Sequence, residues 1–266
     1  MMHYELAGNG PPLVLVAGTG THCQTWKLYQ VPFFQPQFQV LVFDHRGIGY
    51  SDAPDTKYST RLFAEDLAHL MNHLGLGRAH VLGHSMGGRV AQWLALDHPD
   101  RVRSLVLAAS GPGKYRPEMD YPRAVPLNTA VKLINRRFDD FIIDHFTSGF
   151  WYNPEFREKN PGEFEKIRRV FLEVMPEPKP YLRHVVARQE HELTDRIGEI
   201  RVPTLVIVGE KDRVLGDTTD HVESSRFLAE KIPGAKMVVV PGVRHGLFWE
   251  APQETNRQVL DFLLAH

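Results

Sequence analysis

Short apolar runs alternate with helix-patterned segments along this chain, and no other feature of the sequence constrains its fold as much. Leu13 to Ala17, Val40 to Phe43, Ala79 to Leu82 and Ser104 to Ala109 are four to six residues long and rich in Val and Leu. Such runs read as parallel strands covered on both faces. Between them Leu62, Leu67, Leu70, Met71 and Leu74 recur at helical spacing. So do Val90, Trp93, Leu94 and, more weakly, Leu96, with Pro99 just beyond as a stop signal. Strands alternating with helices predict an α/β fold with a doubly wound, mostly parallel sheet.

The alternation stops at the breaker cluster Ser110-Gly111-Pro112-Gly113. From there to about Asp195 no strand-like run occurs, and prolines, mixed charge and aromatics (Phe138, Phe141, Phe146, Phe150, Trp151, Tyr152) take over. This predicts a helical cap over 111–195, inserted after the strand that ends near Ala109 and splitting a core of 1–110 and 196–266. The pattern then resumes with a strand at Thr204 to Val208, a helix at Val222 to Lys231, a strand at Lys236 to Val240 and a helix at Pro252 to Leu264. One core with an insertion suits 266 residues.

Composition removes several function classes. With 42% apolar and 24% charged residues the chain reads as globular, neither disordered nor fibrous. A net charge of −1 supplies no field to gather nucleic acid. The longest purely apolar runs are five residues, against the roughly 20 that a membrane span needs. The start, Met1-Met2-His3-Tyr4-Glu5, carries no secretory pattern, and the single Cys23 cannot form an internal disulfide. Cytoplasmic location is the resulting expectation, with a monomer or homodimer acting on a small molecule.

The chemistry centres on Gly83-His84-Ser85-Met86-Gly87-Gly88, which matches G-x-S-x-G between a strand pattern and a helix pattern. A nucleophile on so sharp a turn needs neighbours two before and two after that carry no side chain. A glycine-rich structural turn is the plain alternative, and the flanking elements argue against it. Ser85 needs a base, since its hydroxyl is too weak an acid to attack unaided. An elbow serine is followed along the chain by its acid and then its histidine. His245, in Pro241-Gly242-Val243-Arg244-His245-Gly246 after the last strand, is the candidate base among 14 histidines. Asp212, in Gly209-Glu210-Lys211-Asp212 after the preceding strand, is the candidate acid, with Glu210 its main rival and Asp217 and Asp220 further along. The oxyanion donors expected are the N–H of Met86 and, from the loop Ala17-Gly18-Thr19-Gly20-Thr21, that of Thr19. That loop is no phosphate cradle, because it lacks the G-x-x-x-x-G-K-[ST] pattern and Cys23 stands where a third glycine would.

With these pieces the chain resembles the α/β-hydrolase fold proteins over nearly its whole length. The likeness rests on Leu13 to Thr21, Asp44-His45-Arg46-Gly47-Ile48-Gly49-Tyr50-Ser51, the Ser85 elbow, His98-Pro99-Asp100-Arg101-Val102, Gly209 to Asp212 and His245. Gly20-Thr21 with Trp26, Trp93-Leu94-Ala95-Leu96 and Trp151 to Arg157 are similar to 3-oxoadipate enol-lactonases and related carboxylesterases. The resemblance implies hydrolysis of a small carboxylic ester or lactone through an acyl-serine, with no cofactor and no metal. A C–C bond hydrolase, thioesterase or perhydrolase would use the same triad, and a ligand receptor could keep it. Three departures stand out: Ala17-Gly18 where the family often has His-Gly, a start at what is usually the second strand, so that a first edge strand is expected to be missing, and His84 and Met86 where such enol-lactonases often have Leu.

Weaker signals take plainer readings. His69 and His73 have metal-ligand spacing, but Leu70 stands where a zincin needs Glu, so they read as helix-surface residues. Cys23 reads as a small structural residue near the pocket rim. Phe138, Phe141, Phe146 and Trp151 either line an acyl pocket or form the core of the lid. Arg136, Arg137, Arg183 and Arg188 read first as solvated charge and second as a clamp for a substrate carboxylate. Asp44 and Arg46 read as braces of the loop near the elbow.

Overall fold

The structure, a computed structural model, describes residues 1–114, 137–212 and 220–266. Seven strands form one sheet: β1 (Tyr4–Ala7), β2 (Pro12–Val16), β3 (Gln39–Phe43), β4 (Ala79–His84), β5 (Val102–Ala108), β6 (Thr204–Gly209) and β7 (Lys236–Val240). Their order is β1-β3-β2-β4-β5-β6-β7. Every neighbouring pair is parallel except β1 with β3. Strand β1 is absent from the apolar runs, and its burial explains why. It is an edge strand of alternating exposed and half-buried residues, so no continuous apolar run marks it.

The Val and Leu runs fill two cores because side chains alternate across a strand. Leu13 and Leu15 join the cluster of Trp26, Phe34, Trp249, Val259 and Phe262, whereas Val14 and Val16 join that of Phe63, Leu67, Val90 and Leu94. Each such residue, fully withdrawn from water, contributes about 1.5–3 kcal/mol against the entropy of ordering it. Helices α1 (Gln30–Phe34), α2 (Thr60–His73) and α3 (Met86–Asp97) follow β2, β3 and β4 along the chain. Ser59 sets where α2 begins, its side chain accepting from the Leu62 N–H at 3.0 Å.

Between β5 and β6 the described residues hold α4 (Phe138–Thr147), α5 (Pro154–Lys159), α6 (Pro161–Phe171) and α7 (Pro178–Gln189). Proline opens the last three, where a missing N–H costs nothing. The segment is tied to the carboxyl edge of the sheet. Gly246 N–H donates to Trp151 O at 2.8 Å, and Asn153 N–H donates to Glu250 Oε1 at 2.9 Å. After β6 come α8 (His221–Lys231), α9 (Leu247–Glu250) and α10 (Pro252–Leu264). Among the described residues no helix is long and apolar enough to cross a membrane.

Candidate active site

The chain turns from β4 into α3 through Ser85, whose φ of 55° and ψ of −119° lie outside the ordinary regions. Packing enforces that strain. A Cβ on Gly83 would stand 2.3 Å from Gly87 O, and one on Gly87 would stand 2.1 Å from Val16 O. The two glycines of the motif are therefore steric necessities. Ser85 is held by its own backbone, its N–H donating to Ala108 O at 2.8 Å and its carbonyl accepting from Ser110 Oγ at 2.8 Å.

Met86 is the first residue of α3, so its N–H has no carbonyl one turn earlier in the helix. The loop after β2 closes on the same point: a Cβ on Gly18 would lie 3.3 Å from Ser85 Cβ. Thr21 Oγ1 donates to Gly18 O at 3.0 Å, which braces this loop. Thr19 beside it is buried, and its hydroxyl has no partner among the described residues.

Two loops at the carboxyl edge bring His245 and Asp212 together. His245 Nδ1 lies 3.0 Å from Asp212 Oδ2 and 3.1 Å from Oδ1, and Asp212 is wholly buried. Of the rival acids, Glu210 is engaged elsewhere, its Oε2 accepting from the Gly242 N–H at 2.8 Å in the loop before His245. Asp220 caps α8, accepting from Val222 and Glu223 N–H groups. Asp217 lies outside the described residues.

Burial raises the Asp212 carboxyl, but the imidazoles of His221 and His245 more than offset this and hold it well below the usual carboxylate range. Burial pushes His245 below the ordinary imidazole value against the pull of Asp212, and His221 and Arg188 add to the depression. A neutral imidazole whose Nδ1–H faces a carboxylate keeps its Nε2 lone pair free to take a proton.

Aromatic rings surround His245. Phe150 lies 4.6 Å away in near-parallel stacking, Trp151 5.0 Å away edge-on and His84 4.8 Å away. Of the four aromatics expected at the pocket, Trp151 reaches His245 and Phe146 packs on Trp151 at 5.4 Å. Phe138 packs on Tyr181 at 5.6 Å, and Phe141 is 41% exposed, so neither meets His245. Trp151 is buried, and its Nε1–H has no partner among the described residues.

The arginines divide. Arg183 is taken by Asp55 and the Pro54 carbonyl, and Arg137 is exposed beside Asp140. Arg188 is half-buried, and its charge is felt at His245. Arg136 lies outside the described residues. Asp44 does brace its loop, taking the N–H of Cys23 at 2.6 Å and that of Tyr50 at 2.9 Å. Arg46 pairs bidentately with Asp66. His69 and His73 are exposed on α2, and Cys23 is fully buried.

Missing from the sequence reading are Phe150 as a neighbour of His245 and His221, whose Nδ1 lies 3.0 Å from Asp212 Oδ1. The signal for His221 was its place at the start of the helix that follows the candidate acid. Proximity alone would let Asp212, His221 and His245 share a cation, since their ligand atoms lie within 4.8 Å of one another, as do those of His3, Glu5 and Cys23. In the first group each imidazole already meets the carboxylate as an Nδ1–H···O hydrogen bond, the arrangement of an acid with its bases.

The family model described as alpha/beta hydrolase fold matches residues 11–252. A Caulobacter sp. (strain K31) protein named for carbamate hydrolysis is 30% identical over 263 residues, covering 98% of this chain and 94% of its own. The 2-hydroxy-6-oxononadienedioate/2-hydroxy-6-oxononatrienedioate hydrolase of Burkholderia vietnamiensis is 30% identical over 277 residues, covering 98% of this chain and 90% of its own. The enol-lactonase structure from Burkholderia xenovorans LB400 superposes with a TM-score of 0.84 at 30% identity, covering 99% of this chain and 96% of that one.

Proposed function

As the chain belongs to the α/β-hydrolase fold family, we propose that it cleaves a small carboxylic ester or lactone through an acyl-serine intermediate. The observation that carries this reading is the buried Asp212–His245 pair at the edge where Ser85 stands on its strained turn. Ser85 Oγ attacks the carbonyl carbon while His245 Nε2 takes its proton. The carbonyl oxygen, now negative, is received by the N–H groups of Met86 and Thr19. The C–O bond to the leaving group breaks, and the imidazolium returns the proton to the departing alkoxide. His245 then takes a proton from water, hydroxide adds to the acyl carbon, and the acid is released as Ser85 recovers its proton. Asp212 holds the Nδ1–H throughout and stabilises the imidazolium.

The helices between β5 and β6 act in this reading as a cap. Phe150 and Trp151 supply an apolar wall against His245, which favours an uncharged acyl group beside the reacting carbon.

The test is hydrolysis of p-nitrophenyl esters from acetate to decanoate, wild type beside Ser85→Ala, with fluorophosphonate labelling of the serine. The expected result is labelling at Ser85 and turnover that falls by several orders of magnitude in Ser85→Ala. Retained hydrolysis in a clean Ser85→Ala preparation would overturn the assignment. A second reading is favoured by the Burkholderia vietnamiensis relative, whose name describes a keto diacid with no ester. C–C bond hydrolysis would show as turnover of vinylogous keto acids with Ser85-dependent kinetics and poor use of simple esters.

A further inference from the structure

Asp212 carries two imidazoles, and the acyl-transfer scheme uses one. The second belongs to His221, the first residue of α8. Asp220 fixes where that residue stands, because its side chain caps the helix through the N–H groups of Val222 at 2.9 Å and Glu223 at 3.2 Å. His221 Nδ1 then reaches Asp212 Oδ1 at 3.0 Å. A carboxylate only accepts, so His221 presents an Nδ1–H, as His245 does. The two rings lie 4.7 Å apart with 29° between their planes. Asp212 is wholly buried, and a buried carboxylate held by one N–H would keep costly lone pairs unpaired.

We infer that His221 is a positioning residue, which acts through Asp212 by holding the carboxylate in the orientation that meets His245 and by drawing off part of its negative charge. The inference rests on the acyl-transfer reading above. His221 would thereby set how strongly Asp212 favours the imidazolium form of His245. Among the described residues the groups facing this pair come from several elements, and His145 on α4, packed on Phe150 and Trp151, interacts electrostatically with His245. Asp212 stands after β6, His84 at the end of β4 lies 4.8 Å from the His245 ring, and the charge of Arg188 on α7 acts on His245. Phe150, 6.3 Å from His221, is uncharged. Without the His221 donor more of the Asp212 charge falls on His245. The imidazolium is then favoured, and the pH at which the base becomes neutral moves up.

Two variants separate the donor from the ring. His221→Phe keeps a ring against His245 and loses the N–H. His221→Asn places an amide N–H close to where Nδ1 stands. The readouts are the rate of fluorophosphonate labelling of Ser85 and the kcat and KM for p-nitrophenyl acetate, from pH 4.5 to 9, with Ser85→Ala alongside. In His221→Phe, labelling and kcat should fall about 10- to 100-fold, the scale of one lost hydrogen bond to a charged group, with KM little changed. The acid limb should move to higher pH, and His221→Asn should restore both rate and limb. Equal impairment of the two variants with an unmoved limb, or no change in His221→Phe, would overturn the inference. Turnover retained in Ser85→Ala would instead overturn the reading beneath it. A measurement on the wild type needs no variant to fold: nitrogen-15 spectra of labelled histidine should give His221 as the Nδ1–H tautomer, and an Nε2–H tautomer would overturn the inference.

Discussion

His84 Nε2 donates to the backbone oxygen of His245 across 2.9 Å. The residue before the candidate nucleophile thus holds the loop that carries the candidate base. A backbone carbonyl can only accept, so His84 presents an Nε2–H, and its Nδ1, buried without a partner among the described residues, leaves the ring neutral. Burial agrees, pushing it down to about 3. Its ring is wedged edge-on against Trp26 at 6.4 Å and Trp249 at 5.4 Å. His84 is therefore a strut between two loops, and the carbonyl it satisfies fixes the height of the His245 backbone.

Replacing that strut should weaken both stability and rate. His84→Leu leaves the His245 carbonyl without its donor, at a cost of about 1–3 kcal/mol. We expect kcat/KM for p-nitrophenyl acetate to fall about tenfold through displacement of the base, with a lower Tm. Fluorophosphonate should still label Ser85, slowly. Wild-type kcat/KM and Tm in His84→Leu would show that the loop needs no strut.

The rate should depend on pH through His245. A general base works when neutral, so activity rises as pH rises through its pKa. Burial lowers that pKa below the ordinary imidazole value despite Asp212. The half-plateau of kcat/KM should therefore lie below about pH 6.5. A limb centred near 7 or above would contradict the burial of His245 among Phe150, Trp151 and His221.

What the sequence made legible follows from how directly sterics and burial act on single residues. Five of the six parallel strands were readable because burial on both faces demands mostly apolar runs, and the half-exposed edge strand β7 was readable from Met237-Val238-Val239-Val240. Strand β1 was not, because an edge strand with one wet face carries Tyr, Glu, Leu and Ala in no apolar run. The elbow glycines were readable because a Cβ at Gly83 or Gly87 strikes backbone. The nearness of Asp212 to His245 followed from two loops that leave adjacent parallel strands, β6 and β7, at the same edge. His221 and Phe150 reach the site only through the tertiary path of their segments, and spacing along a chain does not encode such contacts. The aromatics between β5 and β6 show the same limit, since Phe141 and Trp151 share a composition signal but differ from exposed to buried.

Thermal stability should fall as the medium turns acid. His45, His84 and His184 are buried and pushed down to about 4, 3 and 3 by loss of solvent. The unfolded chain binds protons on these side chains from about pH 6.5 downward, and the folded chain does not. Stability is therefore fully present above that pH and is lost progressively toward the folded values. Tm measured from pH 8 to 4 should be level at first and drop steeply below about 6.5. A level Tm down to pH 4.5 would mean that these imidazoles are solvated.

Two alanine substitutions test the steric account of the elbow. Gly87→Ala drives a methyl to 2.1 Å from Val16 O, a backbone atom of β2. Overpacking of this kind costs about 1–3 kcal/mol or more, and each kcal/mol lowers Tm by about 2–4 °C in a domain of this size. Gly77→Ala meets nothing within 4 Å and needs no positive φ, so it should be neutral or slightly stabilising. Equal Tm values for the two variants would contradict the packing at the turn.

Cys23 offers a direct probe of the loop that follows the candidate oxyanion strand. Its side chain is fully buried, and its N–H donates to Asp44 Oδ1 at 2.6 Å. Burial, with the Asp44 charge beside it, pushes the thiol far above its ordinary value. The thiolate is the reactive form, so both its population and its access are suppressed in the folded chain. With one cysteine in the sequence, the stoichiometry of a thiol reagent is unambiguous. Native protein at pH 8 should give almost no reaction with dithionitrobenzoate over an hour, and one equivalent should react after denaturation in guanidinium. Asp44→Asn removes the charge and weakens the brace on Cys23 and Tyr50, so reaction should accelerate even in the native state. Rapid, complete reaction of the native wild type would mean that the loop opens, and the Thr19 N–H would then lack the fixed position that an oxyanion donor needs.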